Sequence, residues 1–186
     1  MRIISGALQR RLVPSPPGTA TRPTTDRMRE SLFHVLEQHV VLTGAVIVDL
    51  YAGSGILTWE SLSRGAASAI MVDTSADICR HLRKVSQSLD VEDQVTIIRT
   101  TALEYLRTSP LTGASCLFAD PPYALRHCNA IVQQIEKTAL LSNGGIVVLE
   151  HSDREVVLPS SEYSPLWQGT ASASIIDMLQ RLPSNT

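Results

Sequence analysis

Short apolar, β-branched runs alternate with longer amphipathic stretches from Ala45 to the end of the chain. Ala45–Leu50, Ala69–Asp73, Val95–Ile98, Cys116–Asp120 and Gly145–Glu150 predict strands, and Ile56–Arg64, Ala76–Leu89, Ala102–Arg107 and Leu125–Leu140 predict helices between them. The strand runs are apolar throughout rather than alternating, as expected of a parallel sheet covered on both faces. Strand and helix at this rhythm imply right-handed βαβ crossovers and an α/β, doubly wound sheet. The runs Glu155–Leu158 and Ala171–Leu179 predict a final antiparallel pair, giving a mostly parallel seven-stranded sheet. Ahead of the first strand, Met28, Leu32, Phe33, Val35 and Leu36 at helical spacing predict a helix over Arg27–His39, with Thr25 or Asp26 as N-cap.

Composition narrows the class. The chain has 186 residues, 44% hydrophobic and 18% charged, which suits one globular domain and excludes collagen, coiled coil and wholesale disorder. No apolar run approaches the roughly 18 residues of a membrane span. Arg2, Arg10 and Arg11 break any leader-like apolar stretch, so a secretory signal is not expected. Three cysteines (Cys79, Cys116, Cys128) without C-x-x-C spacing argue against a disulfide framework and a structural zinc site, and favour the cytoplasm. His34, His39, His81, His127 and His151 show no ligand spacing, so no metal is expected and each is read as a surface or capping residue.

Charge is divided unevenly. Residues 1–30 carry six Arg against Asp26 and Glu30, a net of +4, while the remaining 10 basic and 16 acidic residues give −6. A basic arm on an acidic body is a footprint of phosphate-backbone contact; a solvated terminus reads the same way from charge alone. The stretch from Val13 to Thr25, with four Pro and one Gly, reads as a linker. The expected organisation is therefore a basic arm and Pro-rich linker over 1–26 and a catalytic domain over 27–186.

Three strand ends carry candidate chemistry. The first ends in Asp49-Leu-Tyr-Ala-Gly-Ser-Gly55, where Gly53 and Gly55 permit a tight turn and close approach of a ligand to the backbone. Alone, such a turn is as readily structural. Asp49 is expected to reach the mouth of the site, and Thr58 occupies the third glycine position of a dinucleotide loop, so a nucleoside fits better than a pyrophosphate. Asp73, at the tip of the second strand, is placed for ribose hydroxyls or for capping the next helix, a role open equally to Thr74 or Ser75. The most specific signal is Asp120-Pro-Pro-Tyr123 after the fourth strand, a pattern expected by chance in under about 1% of chains this long. Two prolines fix two φ angles and remove two donors, leaving the Asp120 carboxylate and Pro121 carbonyl as rigid acceptors beside an aromatic ring. That arrangement suits a planar amine whose nitrogen must react.

On these residues the chain resembles the class I S-adenosylmethionine-dependent methyltransferases, and among them the RsmD-like family of bacterial 16S rRNA guanine-N2 methyltransferases. The resemblance runs through Arg2-Ile-Ile-Ser-Gly6, Arg22-Pro-Thr-Thr-Asp-Arg-Met-Arg-Glu-Ser-Leu-Phe33, the glycine loop, Ser63-Arg-Gly-Ala66 and Asp120-Pro-Pro-Tyr123 to about His151. It implies S-adenosyl-L-methionine as cofactor, held by Asp49, Tyr51, Gly53, Gly55, Asp73, Thr74, Thr101 and Ala102. It implies Asp120, Pro121 and Tyr123 as the catalytic group. It implies ribosomal RNA, or a small-subunit assembly particle, as partner, met by Arg10, Arg11, Arg22, Thr24, Thr25 and Arg29.

Three positions depart from the family pattern. Thr101 stands where the family usually has Asp against the adenine amine, Thr58-Trp59 where it has smaller or aliphatic residues, and Leu166-Trp-Gln-Gly-Thr170 lacks the family's Arg and Asp. The rival expectations are an NAD-dependent oxidoreductase, against which the missing third glycine counts, an adenine-N6 methyltransferase, and a catalytically weak rRNA-binding assembly factor.

Overall fold

A computed structural model describes residues 1–16, 26–171 and 174–183. Helix α1 (Asp26–His39) precedes β1 (Val46–Leu50), α2 (Ile56–Ser63), β2 (Ser68–Asp73), α3 (Ala76–Leu89), β3 (Val95–Arg99), α4 (Ala102–Thr108), β4 (Ala114–Ala119), α5 (Cys128–Glu136), β5 (Leu141–Ser152), β6 (Tyr163–Ala171) and β7 (Ser174–Arg181). The strands form one seven-stranded sheet in the order β3-β2-β1-β4-β5-β7-β6. Every pairing from β3 to β5 is parallel, and β7 runs antiparallel to both β5 and β6.

The all-apolar strands bury both faces. Ile47, Met71, Cys116, Phe118, Ile146 and Val148 pack on the side of α1, α2 and α3, where Leu32, Phe33, Leu36, Trp59 and Leu82 meet them. Val48, Leu50, Leu117, Ala119, Val147 and Leu149 pack on the opposite side with Tyr105, Leu106, Ile131 and Ile135 of α4 and α5. Phe33 tilts against Phe118 with ring centroids 6.1 Å apart, and the Arg64 guanidinium lies over the Phe33 ring, 4.8 Å from its centroid. These two layers set the strand ends, where the connecting loops gather.

Three elements depart from the expectation. Glu155–Leu158 is not a strand: the buried Glu155 carboxylate accepts the Cys128 backbone N–H at 2.9 Å, and the Val156 carbonyl accepts from Asn129, so the run clips the start of α5. The strand lies further on, at Tyr163–Ala171. Helix α5 begins at Cys128 rather than Leu125, because the Pro122 carbonyl closes a turn on the Leu125 N–H and Arg126 adopts φ +48°. His151 is not a surface residue. It is buried at the end of β5 and bonds Asp177 Oδ2 of β7 at 2.9 Å, while Gln168 of β6 donates to Asp177 Oδ1 at 2.7 Å.

The N-terminal segment is a docked hairpin rather than a detached arm. Arg2 pairs with Leu12 in an antiparallel bridge, and Ile3 and Val13 are buried in the core beside α1 and α2. The fully buried Glu60 carboxylate of α2 accepts the backbone N–H groups of Ile4 (2.8 Å) and Ser5 (3.0 Å), and Ser63 takes those of Ala7 and Leu8. Arg64 neutralises Glu60 at 2.8 Å and reaches Glu37 of α1 at 2.9 Å. Gly6 crosses α2 so closely that a Cβ would stand 1.8 Å from the Ser63 carbonyl oxygen, and its φ of +85° is also glycine's territory. Ile3 and Val13, both buried, seat this segment on the body in spite of its charge.

Candidate functional site

Strand order reverses between β2-β1 and β4-β5, so the loops leaving β1, β2 and β4 surround one crevice at the carboxyl edge of the sheet. The Asp49–Gly55 loop, Asp73 and Asp120–Tyr123 meet there.

The loop after β1 is held from behind. Ala52 N–H donates to the Val72 carbonyl of β2 at 3.1 Å, and Gly55 N–H to the Ala52 carbonyl at 2.7 Å. Trp59 is fully buried, and its indole N–H donates to the Ser54 carbonyl at 2.9 Å. A Cβ on Gly55 would stand 2.5 Å from Met71 and 2.6 Å from the Trp59 indole nitrogen, at a φ of +73°, so only glycine fits. On the open side, a Cβ on Gly53, at φ +52°, would meet only the Tyr51 carbonyl oxygen at 3.7 Å. Tyr51, at φ +60°, sends its hydroxyl to within 2.6 Å of His127 Nδ1, tying the glycine loop to the start of α5.

Asp49 does not reach the mouth of the site. It is 5% exposed and accepts the Thr58 hydroxyl at 2.6 Å, one turn into α2. Burial pushes its carboxyl up to about 7; the Thr58 hydrogen bond opposes the shift, and the Asp120 and Asp73 charges add to it. Thr58, which replaces a dinucleotide glycine, is the partner that makes this buried carboxyl tolerable.

Asp73 accepts from Gly53 N–H at 3.3 Å through one oxygen and from Ser75 N–H at 2.8 Å through the other. Ser75, not Asp73 or Thr74, caps α3 by accepting the Ile78 N–H. The Asp73 carboxylate is therefore fixed beside the glycine loop with lone pairs to spare for a vicinal diol. Thr74 is exposed and lends its carbonyl to Arg99. Thr101 caps α4, its hydroxyl oxygen accepting the Glu104 N–H at 3.2 Å, which leaves one lone pair on an exposed residue, and Ala102 is buried as the first residue of α4.

At the end of β4, Asp120 is exposed at the rim of the crevice while Pro121 is buried. Its carboxyl lies above the usual carboxylate range, first through desolvation by the crevice walls and then through the Glu150 carboxylate. Asp120 and Glu150 line one recess with Leu32, Leu57, Val148 and Ile176. Tyr123 is 45% exposed, available for stacking, with its hydroxyl bonded to Ser174.

The basic positions divide. Arg10 is exposed at φ +70° on the hairpin, whereas Arg11 reaches the Ser88 carbonyl and lies 3.8 Å from Asp90, so it partly serves to pin the hairpin to α3. Arg29 has no exposed surface. Its guanidinium donates to the Arg2 carbonyl at 2.7 Å and to Asp26 at 3.0 Å, so it joins α1 to the hairpin and does not present itself to a phosphate. Arg22, Thr24 and Thr25 lie outside the described residues. Sequence reasoning missed Glu60, Glu150 and His127; Glu150 alone left a signal, an acidic residue closing an otherwise apolar strand.

A reversed doubly wound sheet with a glycine loop on β1, an acid on β2 and Asp-Pro-Pro-Tyr on β4 defines a Rossmann-like methyltransferase. Residues 1–174 match the model of the family described as conserved hypothetical protein 95, and the chain belongs to that family. YlbH of Bacillus subtilis is 35% identical over 163 residues, 87% of each chain. The ribosomal RNA small subunit methyltransferase D of Escherichia coli K12 is 31% identical over 160 residues, covering 86% of this chain and 78% of that one. Among solved structures, yhhF of E. coli superposes with a TM-score of 0.86 at 28% identity over 99% of each chain. Among the described residues no helix is long and apolar enough to cross a membrane, and no group of His, Cys, Asp and Glu is arranged to hold a metal ion.

Proposed function

We propose that this chain transfers a methyl group from S-adenosyl-L-methionine to the N2 amine of a guanine in 16S ribosomal RNA. The observation that carries the reading is the placement of Asp120-Pro-Pro-Tyr123 across the β1/β4 reversal from the glycine loop. The relatives named as small-subunit rRNA methyltransferases support RNA as the substrate. A neighbour of the same fold from Salinibacter ruber, itself an RNA methyltransferase in complex with S-adenosylhomocysteine, shares the architecture with a TM-score of 0.64 at 15% identity.

The residues fit such a cofactor. Gly53 opens the loop to a close ligand, Asp73 is held with free lone pairs for a ribose, and Thr101 offers an acceptor toward an adenine amine. The bound cofactor supplies an electrophilic methyl on a sulfonium. The chain's own part is to make a poor nucleophile reactive. The guanine N2 lone pair is delocalised into the ring, and two acceptors on its hydrogens, Asp120 and the Pro121 carbonyl, favour the pyramidal nitrogen that attacks. As the N–C bond forms and the C–S bond breaks, the nitrogen sheds a proton, and a carboxyl held above its usual range is suited to take it. Tyr123 provides the stack that a base loses on leaving RNA. The exposed Arg10 and Arg11 on the hairpin, with Arg22, Thr24 and Thr25, would meet the RNA backbone.

Mass spectrometry of rRNA nucleosides from cells lacking the protein tests the reading. Loss of one N2-methylguanosine, restored by wild-type protein and not by Asp120→Ala, is the expected result. An unchanged nucleoside profile overturns it, and loss of N6-methyladenosine instead would make the enzyme an adenine methyltransferase.

A further inference from the structure

We propose that Tyr51 and His127 are the positioning pair of the transfer, holding the loop that seats the methyl donor in line with the loop that seats the acceptor amine. The inference rests on the reading of the site as a base-methylating one and goes further by assigning what sets the distance between its two halves.

The pair joins two loops that start side by side. Leu50 of β1 pairs in register with Ala119 of β4, so Tyr51 and Asp120 leave adjacent parallel strands at the same level, roughly 4.8 Å apart in the hydrogen-bonding direction. From there the chains part. Residues 51–55 form the glycine loop, and residues 120–127 run through the two prolines and Tyr123 to His127, the N-cap of α5. The Tyr51 hydroxyl meets His127 Nδ1 at 2.6 Å, with ring centroids 6.2 Å apart. The second loop is thus fixed at its entry by β4 and at its exit by the glycine loop. A hydroxyl both donates and accepts, so the bond forms with either tautomer of the imidazole.

The backbone is bent to make this contact. Tyr51 stands at φ +60°, and Arg126, next to His127, at φ +48°. A bulky residue in that region costs energy and persists where its surroundings over-determine it. The Tyr51 ring packs against the α4/α5 layer, a role for which the ring alone suffices. Its hydroxyl is surplus to packing. Burial pushes the phenol up to about 12, with Cys128 adding to the shift, so the hydroxyl serves as a neutral partner.

Methyl transfer needs nitrogen, carbon and sulfur in one line, with the reacting atoms about 3 Å apart, and an error of about 1 Å costs on the order of 10²-fold. On the proposed reading Gly53 and Asp73 place the donor, and Asp120 and Pro121 place the acceptor. Neither set fixes the separation of the two loops. A bond from one loop to the other does.

The test uses full-length protein, small ribosomal subunits purified from cells lacking it, and labelled S-adenosylmethionine. Tyr51→Phe keeps the ring and removes the hydroxyl. Its kcat should fall by about tenfold or more, while KM for S-adenosylmethionine and affinity for S-adenosylhomocysteine stay within about threefold. His127→Ala should give the same loss, and His127→Asn, whose amide reaches the place of Nδ1, should recover part of it. The double variant Tyr51→Phe/His127→Ala should be no more than about twofold slower than the worse single one, because each change removes the same bond. If Tyr51→Phe folds poorly, the two His127 variants carry the test. A Tyr51→Phe enzyme with kcat within threefold of wild type overturns the assignment. So does a loss matched by an equal loss of S-adenosylhomocysteine affinity, which marks Tyr51 as part of the cofactor seat alone. Losses that multiply in the double variant overturn it as well, since they mark two separate roles. Wild-type protein that methylates no base sinks the proposed function itself, whereas wild-type activity with an indifferent Tyr51→Phe sinks only the positioning pair.

Discussion

The Thr58 hydroxyl donates to Asp49 Oδ2 at 2.6 Å, and through that bond a buried acid at the end of β1 is tied to the first turns of α2, directly beneath the glycine loop. The replacement of a small loop residue by threonine is thus coupled to the protonation of the acid below it. Asp49 carries a carboxyl raised to about 7 from an ordinary value of 3.8. A group whose pKa is higher in the folded state stabilises the fold fully below its unfolded value and loses that contribution as pH rises through the folded one. Asp49 therefore disfavours the folded state progressively between about pH 4 and pH 7. Urea titrations of Asp49→Asn should show a smaller fall in stability from pH 5 to pH 8 than wild type; an equal fall would mean that Asp49 is not the titrating group.

Thr58→Val keeps the shape of the side chain and removes the donor. Stability should drop by about 1–3 kcal/mol, the cost of leaving a buried polar group unsatisfied. The drop should be larger at pH 8 than at pH 5, where the acid is neutral. Equal losses at both values would separate Thr58 from the charge of Asp49.

Asp120→Ala is expected to lower methyl transfer by on the order of 10²-fold or more, the usual result of removing a well-placed acceptor. Binding of S-adenosylhomocysteine, measured by calorimetry, should stay within a few-fold. Tyr123→Ala should be severe and Tyr123→Phe mild if stacking is the role. The reverse order would assign the work to the hydroxyl that Ser174 engages.

Thr101→Asp tests the adenine end. Aspartate caps a helix as well as threonine does, so α4 should be undisturbed, and its charge should tighten S-adenosylhomocysteine binding by about 1 kcal/mol, roughly fivefold. Unchanged affinity would show that residue 101 serves only as the cap.

Arg10→Ala and Arg11→Ala separate phosphate contact from hairpin anchoring. The double variant should lower the salt dependence of RNA binding by up to about two phosphate contacts. Arg11→Ala alone should also cost some stability, since it releases the Ser88 carbonyl and Asp90. An unchanged slope in the double variant would remove the hairpin from the RNA surface.

The legible part of this fold was the part governed by local periodicity. Helix α3 has the predicted bounds Ala76–Leu89, because a serine cap and a left-handed Asp90 stop lie in the sequence itself. The strand ends that carry Asp73 and Asp120 were equally visible, since all-apolar runs finish on a charged residue. What stayed hidden depends on contacts between residues far apart in the chain. Nothing near residue 4 announces that Glu60 will cap its backbone, and nothing near Arg29 shows that the hairpin will cover it. Glu155–Leu158 has the composition of a strand, and only the bond from Cys128 to Glu155 holds it as a loop. Asp49 reads from the sequence as a residue at the mouth of the site and is buried instead, because its orientation is set by the Thr58 hydroxyl nine residues on.

The position of β7 bears on the order in which the protein can be made. It is the last strand in the sequence, yet it lies inside the sheet, between β5 and β6. Strand β6 leaves the ribosome first and has nowhere to pair until β7 follows. Ile176 of that late strand also closes the recess shared by Asp120 and Glu150. While it is being synthesised, the nascent chain can hold a glycine loop and both acids and still lack one wall of the pocket. Shortening the chain before β7 would take Ile176 from beside Asp120 and Glu150 while leaving the glycine loop and Asp73, on β1 and β2, in place.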